Sequence, residues 1–327
     1  MEYYWLNTTE FHRLYRCDYM NQTEWEKYTM QRPVLGSFCI LLGVINLVSY
    51  VLCLLVMKRD SHFKHSCIKI MFLLGLIDIV ALICNSIIAG ILMITGSAFC
   101  IQPSFQYVYG SFLVATWFGN CLTCFILAFN RCLEFWAPDA SVMLFNGKRT
   151  YFWYGVIISY ASYAFFFTSP IVLNTKAIVF VFDPYVLVPQ EVIPIDRLEF
   201  NGYVNNWNNY TLIPGMLILY TALVISVCFK SKGAKQQLQF QIKITLQALM
   251  VCMLAFVPGS LFIILQVIPT PPIVLYVTLI TLEMGNGSGG LVILSLNKTF
   301  RNEVVALICR PVHKRNSVVR DAVQSLA

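Results

Sequence analysis

The sequence predicts an all-α membrane protein, a bundle of seven transmembrane helices, and three observations carry that expectation. Of the 327 residues 58% are hydrophobic and 12% charged, about half the charge of an average soluble domain, which excludes a soluble globular enzyme. The apolar residues are gathered into seven runs, each reaching the roughly 20 residues that a helix needs to cross a bilayer. Most of the 23 Lys and Arg lie on alternate sides of those runs, on one face.

The chain opens MEYYWLNTTEFHRLYRCDYM, with acids and aromatics where a cleavable leader carries a basic stretch and then an apolar one. Residues 1–33 are therefore expected as an extracellular segment, with the first long helix as targeting signal. The runs cover 34–57, 68–94, 107–129, 151–173, 210–229, 244–268 and 273–296. Without water in the hydrocarbon each must satisfy its own backbone, which runs of this length do as helices rather than as barrel strands of roughly ten residues. An odd number of spans puts the termini on opposite faces. Lys58–Lys69, Arg131–Arg149, Lys230–Lys243 and the tail from Asn297 hold most of the basic residues, whereas loops 95–106 and 269–272 hold none. The positive-inside rule then places residues 297–327 in the cytosol and the N-terminus outside. The net charge of +7 reflects this asymmetry and attraction to anionic inner-leaflet lipid; no nucleic-acid partner is expected. The long outer loop, 174–208, shows no regular pattern, and a hairpin lid is one arrangement open to it.

Three glycosylation sequons, at Asn7, Asn21 and Asn209, fall on the expected outer face, the last at the membrane edge. Asn286-Gly-Ser, inside the seventh run, and Asn297-Lys-Thr, on the inner face, are chance matches by the same logic. So is Gly285-Asn-Gly287-Ser-Gly-Gly290, which spells GxGxxG but follows no strand. Of the 12 cysteines only Cys17 and Cys100 face the oxidising side. They allow one disulfide, Cys17–Cys100, which would tie the N-terminal segment over the bundle mouth; two free thiols are the alternative.

Two acids sit mid-span, Asp78 and Glu283, and no histidine does. A buried charge is costly and marks a functional candidate, but a zinc centre or histidine relay has no ligands here. No similarity between chain halves of the kind inverted-repeat transporters show is evident, so a channel or transporter for a small solute is the second reading. No H-E-x-x-H, Gly-x-Ser-x-Gly or catalytic carboxylate pair is present, so enzymatic activity is not expected.

Several motifs in order along the chain resemble those of rhodopsin-type G-protein-coupled receptors. Leu74-Gly-Leu-Ile-Asp78 looks like the L-A-x-x-D of the second helix, and Gly43-Val-Ile-Asn46 is similar to the G-N motif of the first. Asn130-Arg131-Cys132 followed by Pro138 has the spacing of D-R-Y and its proline, Phe256-Val-Pro258 that of W-x-P, and Asn297-Lys-Thr-Phe300-Arg301-Asn302 is like the opening of the family's short cytosolic helix. The departures are informative too. The acid before Arg131 is Asn130, so the arginine is expected to lack its adjacent carboxylate. N-P-x-x-Y is replaced by Gly289-Gly-Leu-Val-Ile293, and residues 174–209 hold no cysteine. Together with Tyr15-x-Cys17 and Trp25, Lys64-x-x-Cys67-x-Lys69-Ile-Met71, Tyr107-x-x-Gly110 and Leu127-Ala-x-Asn130-Arg131-Cys132, these features look like the nematode serpentine receptors of class T, the Srt family.

The resemblance implies a chemosensory receptor for small molecules that works through a heterotrimeric G protein, at the plasma membrane and in the cilium of sensory neurons. A pocket between helices would be contacted by Glu283 near its floor, with Gln266 as polar neighbour and Phe256 and Trp117 as aromatic walls. Asp78 with Asn46 and Asn286 would form a polar core holding sodium or water, above hinges at Pro258 and at the glycines of the seventh helix. G-protein coupling would fall to Arg131, with Asn130, Phe135, Pro138, Lys235 and Lys243 around it. Phe300, Val304, Leu307 and Ile308 recur at helical spacing, as an amphipathic helix on the bilayer surface requires. Cys309 stands where the family is palmitoylated, and Ser317 follows a basic stretch suited to a kinase. Monomer and dimer are equally compatible with the sequence.

Overall fold

A computed structural model describes residues 2–5, 7–200, 202–230, 236–267 and 271–309. The first span, α1 (Pro33–Met57), opens with a proline at its first turn, where the missing N–H costs nothing. Its outward face carries Val34, Phe38, Leu41, Val48 and Leu55, all exposed, while Gly36, Cys39, Gly43, Asn46, Ser49 and Tyr50 are buried. The small and polar residues face the bundle and the large apolar ones face outward. This is the pattern of a helix whose solvent is lipid.

The second span, α2 (Ser66–Thr95), contains a π-helical stretch at Ile83–Ile88. The third, α3 (Pro103–Trp136), runs through the centre and is followed by a short helix, Pro138–Phe145. Next come α4 (Thr150–Phe167), α5 (Tyr203–Lys230) with Pro214 inside it, and α6 (Gln236–Val267) with Pro258 inside it. The last span, α7, is broken at Ser288 into Pro272–Gly287 and Gly289–Leu296, bent by 56°. Residues 298–309 form α8. Among the described residues five of these helices are long and apolar enough to cross a membrane, and the bent α7 pair makes a sixth. The seventh, α4, is short and dilutes its apolar run with tyrosines.

Several helices outrun the apolar runs that predicted them, because hydrophobicity marks only the part within hydrocarbon. Thus α3 extends beyond 107–129 at both ends and α6 starts before 244. The fourth differs the other way. Expected to Leu173, it ends at Phe167, because Pro170 biases Ser169 away from helical backbone. The chain then forms an antiparallel hairpin, β1 (Val172–Asn174) with β2 (Val179–Val181), in which Val172 pairs with Val181.

That hairpin belongs to a lid over one end of the bundle. The short helix Thr8–Leu14 is capped by Asn7, and Gln22–Glu26 by a reciprocal capping box between Asn21 and Glu24. Leu14, Tyr15, Trp25, Phe99, Tyr107, Tyr185 and Phe200 form a second apolar core separate from that of the bundle. The disulfide Cys17–Cys100 closes it, with Cα atoms 5.4 Å apart. The Trp25 indole donates to the Cys17 carbonyl at 2.9 Å, and the Tyr185 hydroxyl lies 2.8 Å from the carbonyls of Leu14 and Arg16. At the rim the Arg13 guanidinium grips Glu199 with two hydrogen bonds and holds that carboxyl below its ordinary value. Arg32 clasps lid to bundle, donating to the carbonyls of Thr175 and Lys176 and to the Tyr276 hydroxyl on α7.

Candidate functional site

Beneath the hairpin the helices line a cavity of about 80 Å³, between bundle members as ligand sites commonly are. Leu113, Val114, Thr116 and Trp117 of α3 form one wall, Pro258 and Phe262 of α6 a second, and Leu275, Thr278, Leu279, Leu282 and Asn286 of α7 a third. Ile171, Ile178, Val179 and Phe180 make the roof, while Asn85 of α2 and Asn205 of α5 complete the lining. Ile178 holds φ at 58°, a left-handed conformation that a β-branched residue tolerates only when its surroundings impose it.

The candidate pocket residues divide. Trp117 is on the wall, and its indole N–H donates to Asn209 Oδ1 at 2.8 Å. That bond fixes the ring between α3 and α5, and it removes Asn209 from the expected glycosylation sites, since the asparagine is fully buried. Phe256 sits on another face of α6, packed on the bundle core. Glu283 is fully buried but absent from the cavity lining; the Cys39 thiol of α1 is its polar neighbour. The side chain of Gln266 lies outside the described residues.

The expected polar core is also rearranged. Asp78, 1% exposed, accepts a hydrogen bond from the Tyr50 hydroxyl on one oxygen and from Asn120 Nδ2 at 2.6 Å on the other. Asn46 faces Gly287 instead, so closely that a Cβ there would overlap its amide. Asn286 donates to the Leu282 carbonyl at 3.1 Å and lines the cavity, as does Pro258. The surroundings of Asp78 are therefore two hydrogen-bond donors rather than a cage of oxygens, and they do not fit the expected sodium ion. Tyr50 and Asn120 were not among the sequence candidates. The signal for both was available, as buried-face polar residues of α1 and α3.

At the other end of α3 Arg131 is 2% exposed. It donates to Asn130 Oδ1 at 2.7 Å and forms an ion pair with Glu134, one turn further along. The adjacent position holds Asn130 in place of an acid, as expected, and the carboxylate that pairs with the arginine stands at the i+3 position, a spacing that brings residues together on one helix face. Ser66, at the start of α2, lies 3.2 Å from Glu134 and from Asn130 and ties the two helices. Phe135 is buried in the bundle core, and Pro138 opens the short helix that follows. Lys235 and Ser317 lie outside the described residues, as does the side chain of Lys243.

Beside this end α8 is held to the first loop by Glu303, which pairs with Arg59 and lies 2.8 Å from His62. Phe300 stacks near His62, with ring centres 4.7 Å apart. Cys309 is exposed at the end of α8, and Asn7 and Asn21 are exposed on the lid.

A seven-helix bundle with a lidded cavity at one end and a buried arginine at the other has the architecture of a rhodopsin-like receptor. The crystal structure of squid rhodopsin superimposes with a TM-score of 0.64 over 90% of each chain, at 12% identity. The sequence matches the family described as serpentine type 7TM GPCR chemoreceptor Srt over residues 1–317, and the chain belongs to that family. One relative, serpentine receptor class T-55 of Caenorhabditis elegans, is 21% identical over 317 residues, 93% of this chain and 84% of the relative. The protein is thus a multi-pass membrane receptor of the chemosensory serpentine type.

Proposed function

We propose that a small molecule occupying the cavity is sensed from outside the cell, and that occupancy loosens Arg131 from Glu134 so that the arginine engages a heterotrimeric G protein. The observation that carries this reading is that Trp117, on the cavity wall, and Arg131, in its ion pair, stand on one unbroken helix. A ligand moves such an equilibrium only through its different affinity for the two states. Trp117, Pro258 and Phe262 supply wall contacts that change as α6 moves about its proline, which removes an intrahelical hydrogen bond. Asn130 and Phe135 flank the arginine where the G-protein α subunit would dock, with Lys235 and Lys243 adding basic charge nearby.

In this reading the N-terminus is extracellular, Asn7 and Asn21 carry sugars, palmitoyl at Cys309 anchors α8 beside the inner leaflet, and the protein resides in the plasma membrane of a sensory cell, including its cilium. Glycosidase-sensitive mobility that falls stepwise with Asn7→Gln and Asn21→Gln tests the orientation; mobility indifferent to both would reverse it. A receptor is favoured over a channel or an enzyme by the family and fold. Agonist-dependent nucleotide exchange on a G protein, lost in Arg131→Ala at equal surface expression, tests coupling.

A further inference from the structure

The cavity wall carries no formally charged side chain among the described residues. The two mid-span acids are not on it: Asp78 is bonded to Tyr50 and Asn120, and Glu283 is fully buried outside the lining. A charged ligand would be desolvated there without a counter-charge, which disfavours its binding.

Two of the polar wall residues are already engaged. Thr116 and Thr278 spend their hydroxyls on carbonyls within their own helices. Asn85 and Asn205 are not: each is 5% exposed and on the cavity wall, and neither carboxamide has a hydrogen-bond partner among the described residues. Of the two, Asn85 sits within the π-helical stretch Ile83–Ile88, and such insertions in α-helices recur at functional sites. A carboxamide that faces the cavity without a protein partner is free to hydrogen-bond a ligand carbonyl or hydroxyl.

Resting on the reading of this cavity as the ligand site, we propose that it takes a neutral, largely apolar small molecule carrying one carbonyl or hydroxyl group, and that Asn85 is the side chain that reads that group. The carboxamide donates to a carbonyl and both donates to and accepts from a hydroxyl, so it serves ketones, esters and alcohols alike. Ammonium and carboxylate counterparts of the same skeleton are excluded by the uncharged wall.

The test uses purified full-length receptor and four probes of one skeleton: octanol, octanone, octylamine and octanoate. Binding is read as ligand-dependent thermal stabilisation. The neutral pair is expected to stabilise the receptor at concentrations where the ionised pair does not. Asn85→Leu should weaken the neutral probes about tenfold, and Asn85→Asp should shift preference to octylamine. Stabilisation by neither neutral probe, or equally by octylamine in the wild type, overturns the proposal. Leu279→Trp, which fills the cavity, separates the two levels. If probes still bind to it, the cavity is not the ligand site; if it alone abolishes binding while Asn85→Leu leaves it unchanged, the cavity stands and the role of Asn85 falls.

Discussion

The Tyr50 hydroxyl donates to Asp78 across the interface of α1 and α2, and the same hydroxyl rests against the bare backbone of Gly289, where α7 resumes after its bend. One phenol thus meets three spans at the bundle centre. Asp78 needs it, because in a lipid-surrounded core an unmet acceptor has no water to turn to.

Tyr50→Phe should therefore cost about 1–3 kcal/mol, the loss expected when a buried acceptor is stripped of a donor, measured as a lowered melting temperature of purified receptor. Gly289→Ala, whose Cβ would overlap the Tyr50 hydroxyl, should cost a similar amount by overpacking. The two changes should not add, because removing the hydroxyl removes the overlap. Full additivity would show that Tyr50 does not bridge Asp78 and α7.

Arg131 is ion-paired with Glu134 and hydrogen-bonded to its sequence neighbour Asn130. Glu134→Gln should raise basal nucleotide exchange about fivefold, the factor that ~1 kcal/mol represents. Asn130→Asp adds a second acid to an arginine already paired and should lower basal exchange far less than Glu134→Gln raises it. Basal activity unmoved by Glu134→Gln would mean that the ion pair is not the inactive-state restraint.

The lid core depends on Cys17–Cys100. Cys17→Ser and Cys100→Ser should reduce surface expression equally, and the double substitution should be no worse than either, with about 2–4 kcal/mol lost from the lid. Unequal single effects would indicate separate roles for the two thiols.

Docking of α8 has a defined pH dependence. Burial pushes the Glu303 carboxyl up, but hydrogen bonds from His62 and Arg59 outweigh it and hold the group below its ordinary value. A lowered carboxylate contributes stability that is present above the free value of about 4.3 and is lost as pH falls through the lowered one. A fluorophore on exposed Cys309 should report no change from neutral pH to about 5 and release of α8 in stronger acid. Glu303→Gln should abolish that transition; an identical profile would assign it elsewhere.

The fold was legible because bilayer thickness is written directly into run length. The end of α4 was less so, since only Thr168, Ser169 and Pro170 separate Phe165, Phe166 and Phe167 from Ile171, Val172 and Leu173, which serve the hairpin. The site was legible in part. Arg131, Asp78 and Trp117 were found because a charge or an indole in an apolar run stands out. Their partners were not: Tyr50 reads as one more aromatic, Glu134 as surface charge near a helix end, and Asn85 as a polar residue whose direction depends on a π-helical stretch that no periodicity announces. Glu283 was placed at the pocket by depth alone, and depth does not fix which way a side chain faces around the helix.

In the proposed mechanism cavity occupancy is transmitted along α3 to Arg131. The most direct test is nucleotide exchange on a G protein, in membranes with matched surface expression, comparing wild type, Leu279→Trp and Arg131→Ala across a panel of small neutral molecules. Agonist-dependent exchange is expected in the wild type and none in either variant, with Arg131→Ala still binding the agonist. Exchange that persists in Arg131→Ala, or an agonist response carried by ionic current, would contradict it.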